Sequence, residues 1–158
     1  MIDQSNTDIR FMQEALSLAE QAGQVGEVPI AALVVSPEGI VVGRGANRVE
    51  AAHCQAEHAE ICAIRDACMR RADWRLVGCT IYVTLEPCIM CVGLILLSRV
   101  DRIVYAAESP LFGYRLDKQG MLALYMKHIK GVTSGVLEND SIRLLREFFS
   151  KKRIKHNE

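Results

Sequence analysis

The feature that most constrains this chain is its alternation of short β-branched runs with amphipathic stretches. Residues 29–35 (PIAALVV) form an apolar run. Ser36-Pro-Glu-Gly39 then breaks it with strong turn residues before Ile40-Val41-Val42, which reads as a β-hairpin with buried strands. Further strands are expected at 79–84 (CTIYVT), 102–106 (RIVYA) and 132–136. Ile9, Met12, Leu16 and Ala19 recur at helical spacing, with Thr7 or Asp8 as the cap. A second helix runs from His58 to Met69, and a third from Cys88 to about Ser98 behind Pro87, a residue suited to helix entry. Gly120 to about Lys130 and Asp140 to Lys155 complete the helices, and 107–119 reads as a loop. The order α-β-β-α-β-α-β-α-β-α predicts a three-layer α/β/α sandwich around one mixed five-stranded sheet, with an antiparallel hairpin at the start.

The 158 residues contain no internal repeat, low-complexity tract or linker, so 1–158 is expected to be one domain. Nineteen Lys and Arg balance nineteen Asp and Glu. That excludes a nucleic-acid binder relying on a global positive field and leaves room only for a local basic patch. No apolar run approaches the ~20 residues that cross a bilayer. The opening residues, MIDQSNTDIR, lack the apolar core of a secretion signal, so a cytoplasmic location without membrane contact is expected. The six cysteines are then expected to stay reduced. Cys54, Cys62, Cys68 and Cys79 read as small buried apolar residues.

Cys88 and Cys91 differ, because their spacing puts two thiols on one face of a first helical turn, where the helix dipole favours thiolates. His58 offers a nitrogen at the start of another helix. Three N/S ligands leave the fourth tetrahedral position open, the pattern of a catalytic zinc site. Two thiolates already neutralise Zn²⁺, so a nearby base should help to ionise a bound water, and Glu60 is the candidate. Each piece alone has a plainer reading. His-Ala-Glu is a common capped helix start, and Cys-x-x-Cys also serves as a redox pair or half of a structural zinc site. His53, Cys54 or Cys62 could close the shell as a fourth ligand, which would make the zinc structural.

His-x-Glu followed by Pro-Cys-x-x-Cys resembles the signature of zinc-dependent nucleobase deaminases in the cytidine deaminase-like superfamily. Within that superfamily the chain resembles the bacterial tRNA-specific adenosine deaminases over nearly its whole length. The matching stretches are Glu27-Val28-Pro29, Gly45-Ala46-Asn47-Arg48, His58-Ala-Glu-Ile61, Leu76 through Thr84-Leu85-Glu86-Pro87-Cys88-Ile89-Met90-Cys91, Ser98-Arg99-Val100 and Phe148-Phe149. The resemblance implies one Zn²⁺ per subunit on His58, Cys88 and Cys91, in a homodimer. It implies hydrolytic deamination of adenosine to inosine at the tRNA wobble position, with a zinc-activated water attacking C6 and Glu60 moving protons to N1 and to the leaving amine. By the same resemblance Asn47 contacts the target nucleotide, the backbone at Ala59 and Pro87 frames the pocket, and Val28 and Pro29 pack beside the base.

The partner so implied is a tRNA anticodon stem-loop. The final helix carries Arg143, Arg146, Lys151, Lys152, Arg153 and Lys155, a local patch able to grip its phosphates, with Phe149 near the loop and Arg153 on the backbone. Three stretches depart from the resembled family. Ala31 stands where glycine is usual, His53-Cys-Gln-Ala-Glu57 replaces Asp-Pro-Thr/Ser, and the loop Ser109 to Arg115 lacks a glycine- and lysine-bearing segment. In that loop Phe112 and Tyr114 read either as base-stacking residues or as part of a hydrophobic dimer contact. Two other functions remain open: a deaminase of a free base or nucleoside (guanine, cytosine or cytidine) on the same zinc ligands, and a non-catalytic structural-zinc RNA-binding module, which calls for a fourth protein ligand.

Overall fold

The hairpin forms where the turn residues predict it, with β1 at Ala31–Val35 and β2 at Val41–Ala46. In this computed structural model, which describes residues 4–120 and 122–156, three more strands follow. They are β3 (Thr80–Leu85), β4 (Arg102–Ala107) and β5 (Gly131–Thr133). The sheet order is β2-β1-β3-β4-β5. β1 is antiparallel to both β2 and β3, whereas β3, β4 and β5 run parallel, so the mixed five-stranded sheet is as expected.

Successive strand residues face opposite sides. Leu33, Val35, Tyr82, Val104 and Ala106 pack on α1 (Gln4–Gln24) and on Leu137 and Leu144 around α6 (Glu138–His156). Ala32, Val34, Ile81, Val83, Ile103 and Tyr105 face α3 (Ala59–Arg71) and α4 (Ile89–Leu97). These are the three layers. The short helices are α2 (Val49–Ala52) and α5 (Ala123–Met126).

Four departures have physical causes. β2 runs on to Ala46 through Gly43 and Gly45, which have poor strand propensity but lie directly under α3. A Cβ on Gly45 would overlap Ala59 O and Ala63 N, so the absent side chain lets α3 seat on the sheet. The helix expected over 120–130 is a single turn. Gly120 has φ +67°, Asp117 Oδ2 accepts from Leu122 N–H at 2.8 Å, and the chain then leaves through i→i+3 bonds at His128 and Ile129. β5 stops at Thr133, just before Gly135 turns with φ +81°. Finally, α2 and a 3-10 turn at Gln55–Glu57 occupy a stretch that the sequence pattern left without structure.

Buried Asp8 ties α1 to the sheet. It accepts two bonds from Arg102, at 2.8 and 2.7 Å, and one from Tyr82 Oη at 2.9 Å. Burial opposes its charge, but these bonds outweigh that and hold its carboxyl below the usual range.

Candidate active site

Strand pairing brings the predicted site residues to one end of the sheet. Because β1 is antiparallel to β3, the start of β1 lies beside the end of β3, with Ala32 opposite Val83. The end of β2 is there as well, since Ala46 pairs with Ala31. Val28-Pro29, Asn47 and Glu86-Pro87-Cys88 therefore converge beyond the carboxyl ends of the parallel strands, where open α/β sheets commonly bind ligands.

His58 and Cys88 occupy equivalent places. Each has extended backbone (φ −64°, ψ 152° and φ −77°, ψ 170°) and immediately precedes a helix, α3 or α4. Cys88 thus stands at the helix N-cap, one residue outside the turn the sequence assigned it to, while Cys91 lies in the first turn of α4. His58 Nδ1 is 3.7 Å from Cys88 Sγ and 3.5 Å from Cys91 Sγ. Tetrahedral zinc with Zn–S of ~2.3 Å and Zn–N of ~2.0–2.1 Å requires roughly 3.6 Å between nitrogen and sulfur, so the donors fit that ion. Among the described residues His58, Cys88 and Cys91 form the group able to hold a metal, and His53, Cys54 and Cys62 lie outside it. The donor set is three, as a catalytic site needs. His53 instead ends α2 in the left-handed region (φ 51°), and buried Cys62 donates to Glu57 at 3.5 Å.

The two thiols share a proton unequally. The hydrogen bond from Cys91 and the contact with His58 pull the Cys88 thiol down to about 4, and the same bond together with burial pushes Cys91 up. His58 is raised by its bond with Cys88. Glu60, in the first turn of α3, is 4% exposed. Burial first, and the negative Cys88 second, lift its carboxyl to about 7, the range of a group that both takes and gives protons near neutrality.

Two buried carboxylates that the sequence reading passed over build the surroundings. Glu27 accepts from Asn47 Nδ2 (3.3 Å), Glu50 N–H (3.2 Å) and Ala51 N–H (2.8 Å), capping α2, which has no side-chain cap of its own. Asn47 N–H donates to Ile30 O at 2.9 Å, joining it to the Val28-Pro29 segment. Glu86 accepts from Ser109 N–H and Arg115 N–H, both at 3.0 Å, and folds the 109–115 loop over the site's edge. Gly113 packs so tightly on Glu86 that a Cβ would overlap its carboxylate, and it bridges to Cys88. Both acids lie in stretches that match the resembled family, but nothing in the sequence assigned either a role.

Ala59 and Pro87 are buried beside the ligands, and the Pro87 carbonyl accepts from Tyr114 N–H at 2.9 Å. Tyr114 is half-buried and packs edge-on against Tyr105 with ring centroids 6.5 Å apart, whereas Phe112 is exposed. Ala31 is buried and donates its N–H to Thr84 Oγ1 at 3.1 Å.

The last helix reaches this end of the molecule. Ser141 Oγ donates to Thr84 O, and Lys152 Nζ lies 3.6 Å from Glu50 on α2. Phe149 and Arg153 are exposed along it, while the side chain of Lys155 is outside the described residues. No helix among the described residues is long and apolar enough to cross a membrane.

Residues 5–107 match the family model of the cytidine and deoxycytidylate deaminase zinc-binding region. The chain is 40% identical over 149 residues to the tRNA-specific adenosine deaminase of Bacillus subtilis (strain 168), covering 94% of this chain and 92% of that one. It is 42% identical over 142 residues to a tRNA(Ile)-lysidine synthase of Deinococcus deserti, covering 90% of this chain but only 27% of the longer protein. A solved structure from work on A-to-I editing by tRNA:A34 deaminases at the wobble position superposes with a TM-score of 0.79 at 38% identity, covering 86% of this chain and 99% of that one. The guanine deaminase of Nitrosomonas europaea superposes with a TM-score of 0.77 at 28% identity, covering 87% and 81%.

Proposed function

The chain belongs to the cytidine and deoxycytidylate deaminase zinc-binding family, and from that premise we propose that it hydrolyses adenosine to inosine at the wobble position of a tRNA. The observation that carries the proposal is a three-ligand N/S cluster with a buried acid in the helix turn that His58 opens, in a chain 40% identical to a tRNA-specific adenosine deaminase along nearly its full length. His58, Cys88 and Cys91 hold one zinc per subunit. Bound there, zinc supplies a Lewis acid that makes a water nucleophilic at neutral pH.

The chain's own residues do the rest. Glu60 takes a proton from the attacking water and passes it to N1 of adenine while oxygen bonds to C6. It then takes the remaining proton from the C6 hydroxyl and delivers it to the exocyclic amine, so that the C6–N6 bond breaks as the C6=O bond forms, and ammonia leaves with inosine as the other product. Asn47, steadied by Glu27, contacts the target nucleotide. Ala59 and Pro87 frame the pocket, and Val28 and Pro29 form its apolar side and help to exclude water. Lys152, Arg153 and Phe149 meet the anticodon stem-loop. The contact between Lys152 and α2 supports that placement, because α2 begins two residues after Asn47.

The whole of 1–158 serves as one deaminase domain, working in the cytoplasm, where tRNA is used. A homodimer is supported by the apolar surface that α4 leaves uncovered. Ile89, Met90 and Leu97 are exposed there, and Leu111 and Phe112 lie nearby through the Cys88–Gly113 bridge. Sedimentation equilibrium should give twice the chain mass.

The likeness to a guanine deaminase favours, at lower identity, a second reading as a free-base deaminase. Zinc-loaded protein incubated with a wobble-adenosine stem-loop and, separately, with guanine, cytosine, cytidine and adenosine separates the two. Inosine and equimolar ammonia from the stem-loop are expected. Turnover of a free base alone would refute the tRNA reading.

A further inference from the structure

We infer that Gln55 is a positioning residue for His58, its side-chain oxygen holding the imidazole so that Nδ1 faces the two thiols. The inference rests on reading His58 as a zinc ligand. Nδ1 is the ring nitrogen 3.5 and 3.7 Å from the sulfurs, so it must offer a lone pair to a metal, and the ring proton must sit on Nε2. Gln55 Oε1 lies 3.2 Å from Nε2 and is the acceptor that this tautomer requires. A metal-bound imidazole commonly donates its other N–H in this way, and the acceptor fixes ring orientation and tautomer together.

The segment carrying Gln55 is braced from both sides, which a chance surface contact would not need. Gln55 opens a 3-10 turn that ends at His58, closed by Glu57 N–H donating to Cys54 O at 3.2 Å. Arg48 N–H donates to Glu57 O at 3.0 Å, and Arg65 grips the Glu57 carboxylate with two bonds of 2.8 and 3.0 Å. Donor and acceptor are therefore three residues apart on a stretch of backbone held in place by neighbours that do not touch the metal cluster. The acceptor is an amide and not a carboxylate. It orients the ring without adding negative charge behind it, in a site where a bound ion would already face two thiolates.

The test is zinc affinity, measured by competition with a chromophoric chelator, and the visible absorption of the Co²⁺-substituted protein, on wild type and on Gln55→Ala, Gln55→Asn and Gln55→Glu. Gln55 is exposed and its turn is closed by backbone bonds, so circular dichroism should be unchanged in all three. Ala removes the acceptor and Asn stops one methylene short, so both should weaken zinc by roughly 10- to 100-fold and alter the Co²⁺ bands. Glu keeps the oxygen and should bind zinc as well as wild type or better. Wild-type affinity in Gln55→Ala, or equal losses in the Ala and Glu variants, would overturn the inference. Failure of the wild-type protein to bind zinc would instead overturn the reading of the site, and zinc binding without deamination would overturn only the proposed reaction.

Discussion

Replacing Glu27 by Ala tests the claim that one buried carboxylate both caps α2 and steadies Asn47. Its shortest bond, 2.8 Å to Ala51 N–H, is charge-assisted. Bonds to charged groups contribute about 1.5–3 kcal/mol. The bonds at 3.2 and 3.3 Å are weaker, and water can reach the freed N–H groups of exposed Glu50 and Ala51. The expected net loss is about 2–4 kcal/mol, which in a domain of this size lowers Tm by about 10 °C. Urea unfolding of zinc-loaded protein measures it. Activity should fall separately, because Asn47 loses its anchor. A loss of about tenfold in kcat/KM corresponds to about 1.4 kcal/mol of transition-state binding. The two effects separate in a double-mutant cycle with Asn47→Ala. In that background Glu27→Ala should cost no further activity but should still cost stability, since the bonds to α2 do not involve Asn47. A Glu27→Ala protein within about 0.5 kcal/mol of wild type, or activity losses that simply add, would refute the reasoning.

Glu60→Gln should lower kcat by about 10²–10⁴-fold while zinc content by atomic absorption stays at one per chain. Unchanged turnover would remove Glu60 from proton transfer. Metal-free protein should be alkylated first at Cys88, at a rate nearly flat from pH 6 to 8 because its thiol is held at about 4, and zinc should suppress the reaction; mass mapping of iodoacetamide adducts reads this out. The Asp8–Arg102 pair should contribute stability that is full above the unfolded Asp value of about 3.9 and is lost as pH falls through the lowered folded value. Asp8→Asn should then be less stable by about 3 kcal/mol at pH 7, with the difference shrinking below pH 4 in urea titrations. Neutralising Lys151, Lys152 and Arg153 together should flatten the salt dependence of stem-loop binding by about 2 in the log–log slope, read by fluorescence anisotropy.

The metal cluster was legible because its chemistry depends on residue type and spacing. A histidine, two cysteines three apart and an acid two residues beyond the histidine announce themselves in one dimension. The strands were legible too, except where glycine hid one: nothing in the composition of Gly-Arg-Gly-Ala says strand, and the second half of β2 is understood only once α3 is seen lying on Gly43 and Gly45. The long helix expected at 120–130 failed for the opposite reason. Its residues have adequate helix propensity, but a capped single turn and the return of Lys130 N–H to Asp101 O, at 2.7 Å, take the backbone elsewhere. The roles of Gln55, Glu27 and Glu86 were not legible because they are hydrogen bonds to partners that the fold brings near.

Sequence alone therefore determined the layered α/β architecture and marked His58, Cys88 and Cys91 as a metal-ligand set with Glu60 as the candidate base, since periodicity and ligand chemistry are local properties. Tertiary structure decided the rest: that the donor set closes at three, that a buried Glu60 titrates near neutrality, and that two internal carboxylates hold the rim of the site. Each of those depends on desolvation or on contacts across the fold, and neither exists until the strands and helices have packed.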